Sequence, residues 1–228
     1  MSESAHDAEP EGSQGVEQRP ADWVDWHAQY DEPGSRLARR LVVVQRQLAA
    51  ALDERHGDVT LISMCAGQGR DVIPVLAAHP RRADVRALLV ELDEHNAAGA
   101  EQGAREAGLD RLEVRRADAA LTGAYASHVP ADIILACGIF GNITMADIER
   151  TVRSLPSLAA RGATVIWTRG RFRDGDVTPQ IRAWFADSGF EELDFDAPED
   201  WKFAVGTNRL VAAPQPFEAG VRMFTFFR

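Results

Sequence analysis

Cysteine is scarce in this 228-residue chain: only Cys65 and Cys137 occur, with no Cys-x-x-Cys and no His–Cys cluster. That spacing argues against a disulfide framework and against a structural zinc site. Long apolar runs are missing too. No stretch approaches the roughly 18 apolar residues of a membrane span, so none is expected. The N-terminus has neither the basic start nor the apolar core of a signal peptide, which makes a cytoplasmic enzyme the expectation. Basic charge is in deficit, with 25 Lys and Arg against 35 Asp and Glu and a formal net charge of −10. A phosphate backbone calls for a basic surface, so nucleic acid is not the expected partner. No internal repeat is found.

What is present is a chain long enough to bury one full core. Residues 1–20 are Glu, Ser, Gly, Gln, Pro and Ala with almost no large apolar side chain, and read as a disordered acidic tail. Residues 21–57 read as an N-terminal helical segment that packs on the domain or covers it as a lid. Trp23, Trp26, His27 and Tyr30 fall within eight residues there. After the break at Pro33-Gly34-Ser35, the residues Leu37, Leu41, Val44, Leu48 and Leu52 form an apolar stripe at helical spacing. From residue 58 onward strands and helices alternate. Strands are expected at 59–64, 85–93, 112–118, 131–138 and 162–168, with helices near 71–78, 93–107, 145–160 (broken or kinked at Pro156) and 178–188. Three strands without intervening helices, 190–195, 203–211 and 221–227, should close the chain. Such an order predicts an α/β fold with a mostly parallel sheet and one antiparallel end.

The chemistry concentrates where the first strand ends. Ser63-Met64-Cys65-Ala66-Gly67-Gln68-Gly69 follows an apolar run and precedes a helical pattern beginning near Arg70. Strand, glycine turn and helix start are the opening of a nucleotide-binding βαβ unit. Gly67 and Gly69 allow a sharp turn and close approach of a ligand, and the free amides of a following helix would point at it. Glu91 and Asp93 end the second apolar run, Glu91 lying 22 residues after Gly69. An acid at that strand tip is placed to take the hydroxyls of a ribose. Asp93, just before Glu94-His95-Asn96, suits a helix cap, so Glu91 is assigned the ribose.

These pieces, taken with Asp118 at the end of the third strand and Asp132 opening the fourth, resemble class I S-adenosylmethionine-dependent methyltransferases. So do residues 159–166 leading into the fifth strand and 185–190 leading into the sixth. The resemblance spans roughly residues 58–228. It implies a Rossmann-like seven-stranded sheet with helices on both faces, and S-adenosyl-L-methionine as cofactor. Under it, Cys65, Ala66, Gly67, Gln68 and Gly69 would hold the methionine part. Glu91 would take the ribose with Leu92 beside it, and Asp118 the adenine amino group with Ala119 next to the ring. Cys137 and Gly138 would sit at the methionine end. Two positions depart from the family pattern, Ser63 in place of an acid and Cys65 in place of the first glycine. Because the first and fourth strands of that sheet are neighbours, Cys65 and Cys137 should lie close together as reduced thiols.

The implied function is transfer of a methyl group to an oxygen or nitrogen nucleophile of a small-molecule acceptor. His27 is the candidate proton acceptor. Tyr30, Phe140, Asn142 and Arg169 are candidates for the acceptor side, the last three because they follow the fourth and fifth strands at the carboxyl edge. His128 precedes the fourth strand, at the wrong end of the sheet. Arg169, Arg171 and Arg173 form a basic patch that suits an acidic or phosphorylated substrate, or simply a solvated loop. Residues 187–200 hold seven acids and no base and read as a solvent face. An NAD(P)-dependent oxidoreductase shares the glycine turn and the strand-tip acid but usually has a third glycine where this chain has Val72. A catalytically silent cofactor-binding or regulatory protein is the other alternative. No metal site is indicated, and the oligomeric state is not encoded in any recognisable pattern.

Overall fold

The computed structural model describes residues 32, 34–171 and 175–227, without the side chain of Trp201. The expected tail, the aromatic segment with His27 and Tyr30, and Arg173 lie outside the described residues. The first described helix, α1 (Arg36–Asp53), starts where Ser35 accepts a hydrogen bond from the Ala38 amide at 3.0 Å. It buries Val43, Val44, Leu48, Ala51 and Leu52.

The alternation that follows comprises β1 (Val59–Met64), α2 (Ile73–Ala78), β2 (Val85–Glu91), α3 (Glu94–Glu106), β3 (Leu112–Arg116), β4 (Ala131–Ala136), α4 (Met145–Leu158), β5 (Ala159–Gly170), α5 (Thr178–Asp187), β6 (Phe190–Asp196) and β7 (Phe203–Leu210). Seven strands form one sheet in the order β3-β2-β1-β4-β5-β7-β6. The pairs among β1 to β5 are parallel, while β7 runs antiparallel to both β5 and β6. β1 and β4 are apolar on both faces because each face carries a core. Ile62, Met64 and Ile134 pack with Phe140, Trp167 and Phe185 on one side. Leu61, Leu89 and Leu135 pack with Leu48 of α1 and Leu76 of α2 on the other. The chain order reverses between β1 and β4, and a crevice opens there beyond the carboxyl ends of the strands.

Three expectations need correction. Residues 221–227 form no strand of the sheet; they make single bridges, Leu121 with Arg222 and Ile143 with Phe226. Their apolar side chains Met223 and Phe224 are buried and Thr151 of α4 donates to the Met223 carbonyl, so the segment straps across the loops after β3 and β4. The helix after the glycine turn begins at Ile73, not near Arg70, because Pro74 fits only a first helical turn. α4 is not broken at Pro156 but continues through it and ends two residues beyond, passing directly into β5. Among the described residues no helix is long and apolar enough to cross a membrane.

Candidate active site

β1 runs into a turn in which Cys65, Gly67 and Gly69 all have positive φ, at 52°, 55° and 71°. Glycine adopts this region freely, whereas at Cys65 it stores about 1–2 kcal/mol of strain. The turn closes through the Gly69 amide on the Ala66 carbonyl (2.9 Å), and the Ala66 amide ties it to the Val90 carbonyl of β2 (3.0 Å). At Gly69 a Cβ would stand 2.6 Å from Ile73 Cδ1 and 2.8 Å from Leu89 Cδ2, so packing as well as φ demands glycine. The Val72 and Ile73 amides donate back to the Gly69 carbonyl at 3.1 and 2.8 Å. The Val72 amide and the first amide of α2, Ile73, are therefore spent inside the turn and Pro74 brings none, so the helix start does not present the anion site expected from the sequence.

Glu91 holds the turn from the next strand. Its Oε2 accepts from the Gly67 amide (2.7 Å), and its Oε1 from the Leu92 (3.0 Å) and Asp93 (2.9 Å) amides. Asp93 is the cap expected of it, accepting from the Asn96 amide at 2.8 Å. Asp118 accepts from the Ala120 amide (2.9 Å) and from Arg222 of the C-terminal strap (3.0 Å). Tyr125, fully buried, donates to the Ala119 carbonyl at 2.6 Å and fixes the backbone beside Asp118.

These groups surround a cavity of about 590 Å³, within the range of small-molecule sites. Every cofactor candidate named from the sequence lines it except Gly69, which packs against Ile73 and Leu89: Cys65, Ala66, Gly67, Gln68, Glu91, Leu92, Asp118, Ala119, Cys137 and Gly138 are all present. Gly138, with φ 76°, has open space where a Cβ would project. Cys65 and Cys137 thus border one cavity and are free thiols. Burial pushes both thiols far up, Cys65 further through Glu91 and Asp118 and Cys137 further through Asp71, so both are neutral.

The candidates for the acceptor side fall elsewhere. Phe140 is fully buried, its ring 6.0 Å from that of Trp167, and does not line the cavity. Asn142 also lies off the cavity but donates to the Gly138 carbonyl at 2.8 Å, bracing the rim. Arg169 is buried at the end of β5, with Nη1 3.4 Å from where a Gly141 Cβ would sit. His128 is buried on Ser127 (Oγ to Nδ1 2.9 Å), and burial lowers its pKa. The acidic run is partly paired rather than a bare solvent face: Arg182 binds Glu192 and Arg46 binds Asp196.

Sequence reasoning missed several wall residues: Arg40, Leu41 and Val44 of α1, Asp71 after the turn, Arg116 of β3 and Phe226 of the strap. Leu41 and Val44 belonged to the apolar stripe assigned to the core, and nothing in that periodicity marks its end as a cavity wall. Asp71 carries the largest carboxyl perturbation: burial pushes it up to about 6, opposed by backbone amides and Arg40. Its Oδ1 is enclosed without a hydrogen-bond partner among the described residues. No cluster of three or more potential metal ligands occurs among them.

No protein-family profile matches the sequence, and no curated protein matches it significantly. Solved structures do. Magnesium protoporphyrin IX methyltransferase from Synechocystis, solved with bound S-adenosylmethionine, superposes with TM-score 0.61 at 16% identity, over 83% of this chain and 91% of that one. The CurJ carbon methyltransferase gives 0.63 at 11% identity, over 83% of this chain and 58% of that one. An RNA methyltransferase from Salinibacter ruber, in complex with S-adenosylhomocysteine, gives 0.50 at 21% identity, over 79% and 95%. The strand order, the antiparallel β7 and these superpositions together establish that the chain has the fold of the class I S-adenosylmethionine-dependent methyltransferases.

Proposed function

We propose that this protein is an S-adenosylmethionine-dependent methyltransferase that moves a methyl group to an oxygen or nitrogen nucleophile of a small-molecule acceptor. The observation that carries the reading is the cavity over the β1–β4 reversal, with the Glu91 carboxylate at the tip of β2 and Asp118 beyond β3 on its wall. An elongated adenosyl ligand fits that layout: Glu91 at the ribose, Asp118 and Ala119 at the adenine, and the turn 65–69 with Cys137 and Gly138 along the amino-acid end. The cavity wall is rich in carboxylates, which suits a ligand carrying positive charge. Structural neighbours solved with S-adenosylmethionine or S-adenosylhomocysteine support the same cofactor.

The bound cofactor supplies a methyl group already activated on a sulfonium, so the protein needs no covalent intermediate. Its work is to align the acceptor and keep water out. In this reading His27 accepts the proton and Tyr30 contacts the acceptor. Asn142 acts on that side through the Gly138 carbonyl, Phe140 supports it from the core, and Arg169 supplies buried positive charge nearby. The net charge of −10 favours a small acceptor over nucleic acid.

A nicotinamide enzyme is disfavoured by Val72, fully buried where a third glycine is usual, and by the Val72 and Ile73 amides turned into the Gly69 carbonyl. A silent cofactor-binding protein is favoured by one observation, the strained Cβ-bearing Cys65 in the turn. Titration calorimetry with S-adenosylmethionine, S-adenosylhomocysteine and NAD tests the reading. Binding of the two adenosyl ligands without NAD is expected. Binding of NAD alone refutes it, and binding of the adenosyl ligands with no methyl transfer to any acceptor library supports the silent alternative.

A further inference from the structure

We infer that Asp71 is the counter-ion for the ammonium of the adenosyl amino acid, with Arg40 placed to receive its carboxylate. The inference rests on the proposed cofactor and concerns how this chain holds one end of it. The cavity is divided electrostatically. The thiol of Cys65 feels Glu91 and Asp118, whereas the thiol of Cys137 feels Asp71 and Arg40. If the ribose and adenine occupy the Glu91–Asp118 end, the amino-acid end of the ligand falls between Asp71, Arg40 and Cys137.

That end has an unfilled demand for a cation. Asp71 borders the cavity, and although the Asp71 and Val72 amides act on its carboxyl, its Oδ1 is enclosed without a hydrogen-bond partner among the described residues. A buried carboxylate oxygen without a donor is costly unless a ligand supplies one. Ser63, near the end of β1, also has a buried hydroxyl without a partner among the described residues. Side chains alternate along a strand, so Ser63 shares the face of Leu61, where Val72 and Cys137 also pack. The other cavity carboxylates already have protein partners: Glu91 accepts three amides, Asp118 an amide and Arg222, Asp93 the Asn96 amide, and Glu94 pairs with Arg116. An ammonium has three donors for Oδ1. Arg40 reaches the same end from α1, and a guanidinium's five donors allow it to serve a ligand carboxylate alongside its contacts within the protein.

Three ligands separate the possibilities in the full chain. S-adenosylmethionine carries ammonium and sulfonium, S-adenosylhomocysteine only the ammonium, and 5′-methylthioadenosine neither. Calorimetry on Asp71→Asn is expected to show at least a tenfold loss of affinity for the first two, with methylthioadenosine unchanged. Arg40→Gln is expected to show the same pattern and serves if the Asp71 variant does not fold, as checked by circular dichroism. Equal losses for all three ligands make Asp71 a structural residue and overturn the inference. Loss for the sulfonium ligand alone overturns it as well, assigning Asp71 to the sulfur. Unchanged affinities in both variants, with the wild type binding normally, overturn it while leaving the cofactor assignment intact; a wild type that binds none of the three refutes the cofactor assignment itself.

Discussion

Asp71→Asn should stabilise the ligand-free protein, and by an amount that depends on pH. Asp71 is raised from its ordinary value of 3.8 to about 6 by burial. Raised means that the native state holds the proton more tightly than the unfolded chain does. Below about pH 4 both states are protonated and the carboxyl costs nothing. Between about pH 4 and pH 6 the unfolded chain ionises while the native state stays protonated, so stability falls as pH rises. Above about pH 6 the native carboxyl ionises in its enclosure and the cost is complete. The shift corresponds to at most about 3 kcal/mol, and less in practice because part of the residue borders the open cavity. The backbone amides of Asp71 and Val72 and the guanidinium of Arg40, on α1, act against that rise. Asparagine mimics the protonated form at every pH. Urea unfolding of both proteins from pH 4 to pH 8 should therefore show nearly equal stabilities at pH 4 and a gap of about 1–3 kcal/mol, asparagine the more stable, by pH 7. Saturating S-adenosylhomocysteine should narrow that gap, since a ligand that binds the wild type better stabilises it more. A gap independent of pH, or a less stable asparagine variant at pH 7, would refute the account of a carboxylate held against its own desolvation.

Three other perturbations test the rest of the site. Glu91→Ala removes the acceptor of three amides and the proposed ribose contact; S-adenosylhomocysteine affinity should fall about 10- to 100-fold, the value of one or two charged hydrogen bonds. A native circular-dichroism spectrum with unchanged affinity would show that another carboxylate takes the ribose. Gly69→Ala puts a Cβ against Ile73 and Leu89 at positive φ, and should cost about 2–4 kcal/mol and several degrees of Tm; a wild-type melting curve would mean that the turn relaxes freely. Deleting residues 1–32 should speed release of S-adenosylhomocysteine in stopped-flow if that segment covers the site, and an unchanged release rate would reduce it to packing.

Most of the sheet was legible because its signals are local. Apolar runs in β1, β2 and β4, the paired glycines and the acid at each strand tip are imposed by burial on two faces and by a turn that must bend sharply. Ten cavity residues could be named once those signals were joined to the resemblance to the methyltransferase family. Arg40 and Phe226 could not, because each reaches the cavity through a tertiary placement, one at the edge of an amphipathic helix and the other on a strap anchored to the loops after β3 and β4. The pattern of residues 221–227 says only that an extended segment is half buried. Whether it joins a sheet depends on which carbonyls remain free, and here those of Ala120 and Asn142 take its amides instead. Phe140 shows the same ambiguity for side chains, since an aromatic just past a strand packs equally well on a ligand or on Trp167. Asp71 was hidden for a different reason. An acid after a glycine turn reads as an ordinary helix start, and only the actual start at Ile73, set by Pro74, leaves its carboxyl beside the cavity. Cys65 completes the point from the opposite direction. A side chain there should push φ negative, yet it stays at 52° because Gly67, Gly69 and the bond from the Ala66 amide to β2 already dictate the path of the turn. The geometry belongs to the whole loop, and residue 65 bears its strain.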